Sequence, residues 1–387
     1  MHPARPRRRA STVPVAFPAA LAALLLIAAC SGEDAATETV PSTTRATPTT
    51  VAPSTTTTAP ATTTTTTSST TTTTTTLPAV PRQPLTGVPL ADGEQPIDRP
   101  ALAVKIDNAG PSRRDHSGLA VADIVYEEIV EANITRFAAV FHSQGSDPVG
   151  PIRSGRSQDV ALLTSLREPL FAWSGGNPGV TRLIAESIFV DLNAVRGGAG
   201  YYRGPGQRPH DLYNSTDRLW QQTPEGHPGA PPQQFEYVRP GDAFRGEPTA
   251  GFELAMRSID VVWTWDTEQR RFLRDQEGRP HVDAVHGPIG ATNVIVLVVE
   301  YRPSQIDARS PEAQTVSEGG PAWVFSEGQV REGRWIRLAP TDPFTFVSLD
   351  GDPILLTPGN TWVELAEGIP SDDPANPGVA LQVRPPA

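Results

Sequence analysis

Arginines and hydroxyls crowd together at Arg153-Ser154-Gly155-Arg156-Ser157, on a loop that follows Pro148 and Gly150 and opens a helical pattern. Two guanidiniums and two hydroxyls beside the free N–H groups of a helix start form a cradle suited to phosphate or carboxylate. The same arginines would have a purely structural use if they paired with Glu127, Glu128 or Glu131 and tied the loop to a sheet. A second constellation, Ser174-Gly175-Gly176-Asn177, stands between a strand pattern and a helix pattern, where glycines let backbone amides approach a ligand closely. It has the spacing of neither a nucleotide phosphate loop nor a nucleophile elbow, and a tight strand-to-helix turn explains it equally well.

Acid/base chemistry has fewer candidates. Glu127, Glu128 and Glu131 cluster at a hairpin that would turn Glu127 and Glu131 to one face, and a carboxylate pair of that kind serves glycoside hydrolysis when its separation is right. The commoner use of such a cluster is as counter-charge to arginines. His210, in Arg208-Pro209-His210-Asp211-Leu212-Tyr213, would be a base if Asp211 held it in one tautomer, or else a loop fastener bonded to backbone. Glu127 and His210 are therefore the two catalytic candidates. His281, Asp283 and His286 have the residue types of a metal site, but strand alternation would split them across faces, so neither metal nor cofactor is expected. Lys105 is the sole lysine of the chain and stands beside Asp107 and Asn108, as ion-pair partner or site residue. Trp263, Trp265, Trp323, Trp335 and Trp362 would stack on sugar rings or fill a core, and filling a core is the commoner outcome on strands.

The rest of the composition excludes whole classes of function. Cys30 is the one cysteine, so internal disulfides, thiolate zinc sites and, once it is acylated, a cysteine nucleophile are all ruled out. The formal charge is -11, and removing the four arginines of residues 1–29 takes the mature chain to -15, which does not suit a nucleic-acid binder. Those arginines, Arg5 and Arg7 to Arg9, precede an apolar run from Val13 to Ala29 that ends in Ala28-Ala29-Cys30. This is the pattern of a lipoprotein signal peptide cut before a lipidated Cys30. It predicts an extracytoplasmic protein held on the outer face of the membrane by acyl chains, each buried methylene contributing about 0.8 kcal/mol.

Elements that could position the candidates begin after a tether. Residues 30–84 are Thr, Ser, Pro and Ala with few large apolar side chains, too few to offset chain entropy, so a disordered linker is expected. Fully extended, some fifty residues at ~3.1 Å each would reach about 150 Å. Residues 85–220 mix strand and helix patterns: strands over Ala101 to Asp107, Ile124 to Val130, Ile134 to Phe141 and Leu170 to Trp173, and helices over Ser157 to Leu166 and Gly179 to Ser187. A Pro/Gly-rich connector, 221–249, leads to residues 250–387, where seven or eight short strand patterns include Ile259 to Trp265, Asn293 to Tyr301, Ile354 to Leu356 and Thr361 to Leu365. The expected fold class is α+β, a mixed α/β N-terminal domain followed by a smaller, mostly β C-terminal domain of sandwich or barrel type.

Several of these segments also carry a resemblance. Pro84-Leu85-Thr86-Gly87, Arg99-Pro100 with Val104 to Asn108, Ala122-Asp123-Ile124-Val125-Tyr126-Glu127 and Ile134-Thr135-Arg136-Phe137 are followed in order by Gly150-Pro151-Ile152-Arg153-Ser154-Gly155-Arg156 and Pro209-His210-Asp211-Leu212-Tyr213. Asn293-Val294-Ile295-Val296 and Pro358-Gly359-Asn360-Thr361-Trp362 complete the set. With them the chain resembles the YerB-like bacterial lipoproteins, the family of domain of unknown function 3048. The resemblance implies an N-terminal mixed domain and a β-rich C-terminal one, and it implies no catalytic residue. Three function classes follow from the residues: binding of an anionic or sugar-containing envelope ligand or a partner protein, a cell-wall hydrolase or transferase, and a scaffold without a small-molecule site.

Overall fold

Alternating apolar residues place five strands in the first segment: β1 (Leu102–Asp107), β2 (Ile124–Ile129), β3 (Thr135–Phe141), β4 (Leu170–Trp173) and β5 (Val190–Asn193). The computed structural model describes residues 81–372 and 377–386, and the signal segment, Cys30 and nearly all of the Thr-rich linker lie outside the described residues. β3 pairs antiparallel with β2 and with β1, while β4 runs parallel to β1 and β5 parallel to β4. β2 is flanked on its other side by Thr361–Glu367, parallel to it, and beyond that by Asn293–Val299, parallel again. Antiparallel strands Ser317–Ser326, Gln329–Arg337 and Thr345–Ser348 finish that flank of an 11-stranded sheet.

The second segment is strand-rich, as expected, but it does not close on itself as a sandwich. Five of its strands extend the sheet of the first segment. Gly251–Met256, Ile259–Asp266 and Arg271–Gln276, with Leu381–Arg384 at one edge, are the main strands of a second sheet. That sheet covers one face of the first: Phe252, Val261, Trp263 and Phe272 interleave with Val104, Phe137, Val294 and Trp362. The opposite face is covered by helices α1 (Gln158–Leu163) and α2 (Pro178–Ala185) and by the coil around Phe235 and Tyr237, packed on Tyr126, Val140, Ile295 and Val363. α3 (Thr216–Trp220) is short, so the protein is mostly strand with few helices among the described residues. Trp263, Trp335 and Trp362 are buried and Trp265 and Trp323 lean on the core, so these tryptophans fill it.

Because the central strands are covered on both faces, every residue of β1, β2 and β3 is buried, including the charged ones. Alternation sends the adjacent carboxylates of Glu127 and Glu128 to opposite faces. Glu128 meets Lys105 on the helix-covered face, where the ammonium also lies 2.8 Å from Asp159. Glu127 faces the second sheet, accepting from Arg274 at 2.6 Å and from the Thr135 hydroxyl at 2.6 Å. Glu364, on the neighbouring strand, accepts from the Trp263 indole at 2.9 Å and lies 3.8 Å from Arg274. Burial, and then the charge of Glu127, push the Glu364 carboxyl well above the usual range, so it keeps its proton. One guanidinium thus neutralises one carboxylate in a dry space between sheets.

Arg274 is then the sole cation in ion-pair range of that interior carboxylate among the described residues. Arg274→Met is predicted to lower unfolding free energy by about 3–5 kcal/mol, because it leaves a buried charge without its partner. Glu364→Gln, which mimics the protonated acid, should stay within about 1 kcal/mol of the parent. Urea denaturation of the two variants checks both, and a larger loss for Glu364→Gln than for Arg274→Met would contradict the assignment of the proton.

Candidate functional site

All parallel strands of the main sheet point the same way, so Asp107 at the end of β1, Trp173 at the end of β4 and Asn193 at the end of β5 lie at one end of it. Crevices outside the carboxyl ends of such strands are where ligands gather in α/β sheets. The segment Pro151 to Arg153 runs along the last residues of β1: the Asp107 amide donates to the Pro151 carbonyl, and the Arg153 amide to the Lys105 carbonyl, each at 2.9 Å. Gly150 makes this approach possible. At φ +148° it leaves the Leu212 carbonyl 2.8 Å from where a Cβ would stand. Arg153 is in this way delivered to the mouth of the sheet.

Asp107 is the centre of the arrangement. Its Oδ2 lies 3.5 Å from Arg153 Nε and is hydrogen-bonded to His210 Nδ1. Neither use of His210 open from the sequence, an Asp211 partner or a backbone bond, is the one made: Asp211 takes Arg203 at 2.5 Å and the imidazole takes Asp107. Nδ1 is engaged by Asp107, and about a fifth of the His210 side chain is exposed. Arg153 is exposed to a similar degree, and its buried Nε has no hydrogen-bond partner within the protein. Ser174 also joins this place, its amide donating to the Arg153 carbonyl at 2.9 Å. A cavity of about 750 Å³ opens beside the His210 loop, lined by Gly110, Pro111, Arg114, Asp115, Gly206 and Gln207.

Other residues of the expected set are committed elsewhere. Arg156 makes two hydrogen bonds to Glu131 and so ties loop to turn. Glu131 accepts from Arg136 too, at 3.3 Å; burial would push its carboxyl up, but the Arg156 hydrogen bond and both arginine charges outweigh burial and hold it at about 2. The turn Glu131–Asn133, with Ala132 at φ 62° and Asn133 at φ 58°, breaks strand alternation, so Glu131 and Glu127 do not share a face as the hairpin reading required. Glu127 itself is sealed between the sheets and has no path to a substrate. Ser157 Oγ is held by Ser304 at 2.7 Å and by Glu312, while Ser154 contributes its carbonyl to Arg136 at 3.1 Å.

The helix start expected after Ser157 is also occupied. Asp159 accepts from the Arg156 amide at 2.6 Å, and α1 is only six residues long. In the Ser174 turn, Asn177 caps α2 by accepting from the Gly179 and Val180 amides at 2.7 and 3.3 Å, and the Gly175 amide donates to Asn193 at 3.2 Å. Gly176 completes a strand-to-helix turn. His281, Asp283 and His286 take separate partners: His281 bonds His116 and Arg274, Asp283 caps the Val285 and His286 amides, and His286 bonds Ser146. Asp107, the last residue of β1, was not singled out from the sequence, because its partners Arg153 and His210 are remote in the chain.

A line of hydrogen bonds links this site to the interior. Arg274 has only donors, so His281 Nδ1 accepts from it at 2.7 Å and His281 Nε2 carries the hydrogen. His116 Nδ1 accepts that hydrogen at 2.8 Å, and His116 Nε2 donates to the Asp107 carbonyl at 2.7 Å. Both imidazoles are therefore neutral, in agreement with burial holding His116 down to about 4 and His281 well below its ordinary value.

Known proteins match this architecture along most of the chain. Residues 85–229 match the model described as "Protein of unknown function (DUF3048) N-terminal domain", and residues 252–363 that of the DUF3048 C-terminal domain. The protein named "Putative lipoprotein YerB" in Bacillus subtilis (strain 168) is 26% identical over 296 residues, covering 73% of this chain and 86% of its own. The crystal structure of the YerB protein from Bacillus subtilis superposes with a TM-score of 0.65 at 25% identity, over 78% of this chain and 99% of that one.

The buried histidines give a pH dependence. The unfolded chain takes up a proton on His116 near pH 6.5, whereas the native protein resists protonation there down to about pH 4. The stabilisation is therefore complete above pH 6.5 and lost as pH falls from 6.5 to 4, by up to about 3 kcal/mol from this group. Urea midpoints at pH 7.5, 6 and 5 should fall in that order. The imidazole C2 proton resonances of His116 and His281 should stay fixed from pH 7.5 to 5.5, and a titration of either near pH 6.5 would refute the neutral chain.

Proposed function

The chain belongs to the YerB-like family, and from that premise we propose that it is a lipid-anchored extracytoplasmic protein whose cleft beside Asp107, Arg153 and His210 binds an anionic group of an envelope polymer or partner. The anchor is argued from the basic and apolar leader that ends at Cys30 and from the name of the Bacillus subtilis relative. Lipid would supply the membrane contact, since a mature chain of -15 is repelled by anionic headgroups. No nucleic-acid role fits that charge.

Arg153 carries the binding reading. Its guanidinium is part exposed at the carboxyl ends of parallel strands, and the one carboxylate in ion-pair range of it among the described residues, Asp107 at 3.5 Å, is shared with His210. Arg136 and Arg156 stand behind it and add positive potential, although Glu131 offsets them. A phosphate or carboxylate would complete the donor capacity of Arg153 in the fork geometry guanidinium favours.

Asp107 and His210 favour a second reading, a hydrolase or transferase of wall material. A part-exposed imidazole held through Nδ1 by a buried carboxylate has the arrangement of a general base.

Calorimetry with wall-polymer fragments and phosphorylated sugars separates the two. Arg153→Ala is expected to weaken binding at least tenfold while leaving the fold intact, and equal affinity in the variant would reject the cleft. Turnover of purified wall material by the parent, abolished in His210→Ala, would establish the enzyme instead.

A further inference from the structure

The opposite end of the main sheet holds a second concavity. Thr292 and Asn360 stand immediately before the parallel strands Asn293–Val299 and Thr361–Glu367, and Gln144 lies just past the end of the reversed strand β3. There these residues meet Gln83 and Thr86 and the hairpin residues Gln269 to Arg271 around a cavity of about 420 Å³. Its chemical lining is unlike that of the Asp107 cleft. No carboxylate contributes to it, although the chain as a whole is strongly acidic. Its polar groups are amides, hydroxyls and two guanidiniums.

The two arginines differ. Arg270 is exposed and lies 3.7 Å from Glu327. Arg271 is part buried, donates to the Gly290 carbonyl, and has no carboxylate within ion-pair distance among the described residues. Its pKa is lowered by burial, with no acid acting against that. A guanidinium out of full contact with water and lacking a counter-charge favours an anion beside it. Around it, Asn360 is oriented by its own bonds, donating to Gly290 at 3.0 Å and accepting from the Thr292 amide at 3.1 Å. In the same wall, Gln83 Oε1 and Thr86 Oγ1 are buried without a hydrogen-bond partner within the protein, which ordinarily costs about 1–3 kcal/mol each.

We propose that this cavity is a second binding site, for a polyhydroxylated anion: a sugar acid or a sugar phosphate whose charge sits on Arg271 and whose hydroxyls meet Gln83, Gln144, Gln269 and Asn360. Neutral amides match hydroxyl groups because each offers both a donor and an acceptor. The site stands on its own residues, separate from Arg153 and His210.

The test is calorimetry on the full-length protein in detergent with glucuronate, glucose 6-phosphate and glucose as probes. Binding of either acid, at least tenfold tighter than glucose, is expected; whichever acid binds tells carboxylate from phosphate. Arg271→Gln should lose that binding tenfold or more. Gln144→Ala, an exposed position that cannot disturb the core, should weaken it about threefold. Measured in the Arg153→Ala background, where the Asp107 cleft is disabled, this binding should persist and be removed by adding Arg271→Gln, so loss of the cleft and loss of this site read out separately. Failure of both acids to bind, equal binding of glucose, or unchanged affinity in both Arg271→Gln and Gln144→Ala would overturn the proposal.

Discussion

Two adjacent carboxylates on one central strand set the terms for the rest of this fold. A strand covered on both faces has no solvent side, so Glu127 and Glu128 must each find a cation inside the protein. Lys105 answers Glu128 from β1, two strands away across β3, and Arg274 answers Glu127 from a different sheet. The second pairing fixes how the two sheets stack, since an unpaired charge in that layer would outweigh several apolar contacts. Register along β2 is fixed by the same constraint. A slip of one residue along β2 would turn its side chains to the opposite layers, taking Glu127 from Arg274 and Glu128 from Lys105.

The candidate cleft inherits its geometry from this interior. Lys105 holds Asp159, Asp159 holds the Arg156 amide, and the loop from Pro151 to Arg156 is thereby pinned at both ends against β1. On the other face, Arg274 orients His281 and His116 in one direction of donation, ending on the carbonyl of Asp107. Asp107 is thus fixed through its backbone from one layer, and its side chain is free to hold Arg153 and His210 in the other. A site residue anchored this way has little freedom to relax when a ligand competes for it, which favours recognition by a preformed geometry.

Much of the local structure was readable from residue pattern. Leu170 to Trp173 forms the strand its apolar run implied, and the helices after Ser157 and Asn177 lie where spacing put them, the first ending in a 3-10 turn at Thr164–Leu166. Ile354 to Leu356 looked like a strand and is not one: Ile354 donates to Phe346 and Leu356 to Glu236, two different segments, so no ladder can run along it. β5 escaped notice because Val190–Asn193 is only four residues long and mostly part buried. The merging of both segments into one sheet was not legible at all. A parallel neighbour such as Thr361–Glu367 for β2 has the same apolar pattern whichever sheet it joins.

The site followed the same division between local and remote. Arg153, Ser174 and His210 were singled out one by one from their loops, and they do meet, but the group that joins them, Asp107, was passed over as a neighbour of Lys105. Its partner His210 is 103 residues away, beside an aspartate that made a sufficient explanation by itself. Sequence adjacency misled here because Asp211 was already required by Arg203 on the facing strand of its own hairpin. With Asp211 engaged by Arg203, the histidine pairs instead with the carboxylate at the end of β1. The competition among acids for cations, more than the presence of any one residue, determined which side chains remain available at the mouth of the sheet.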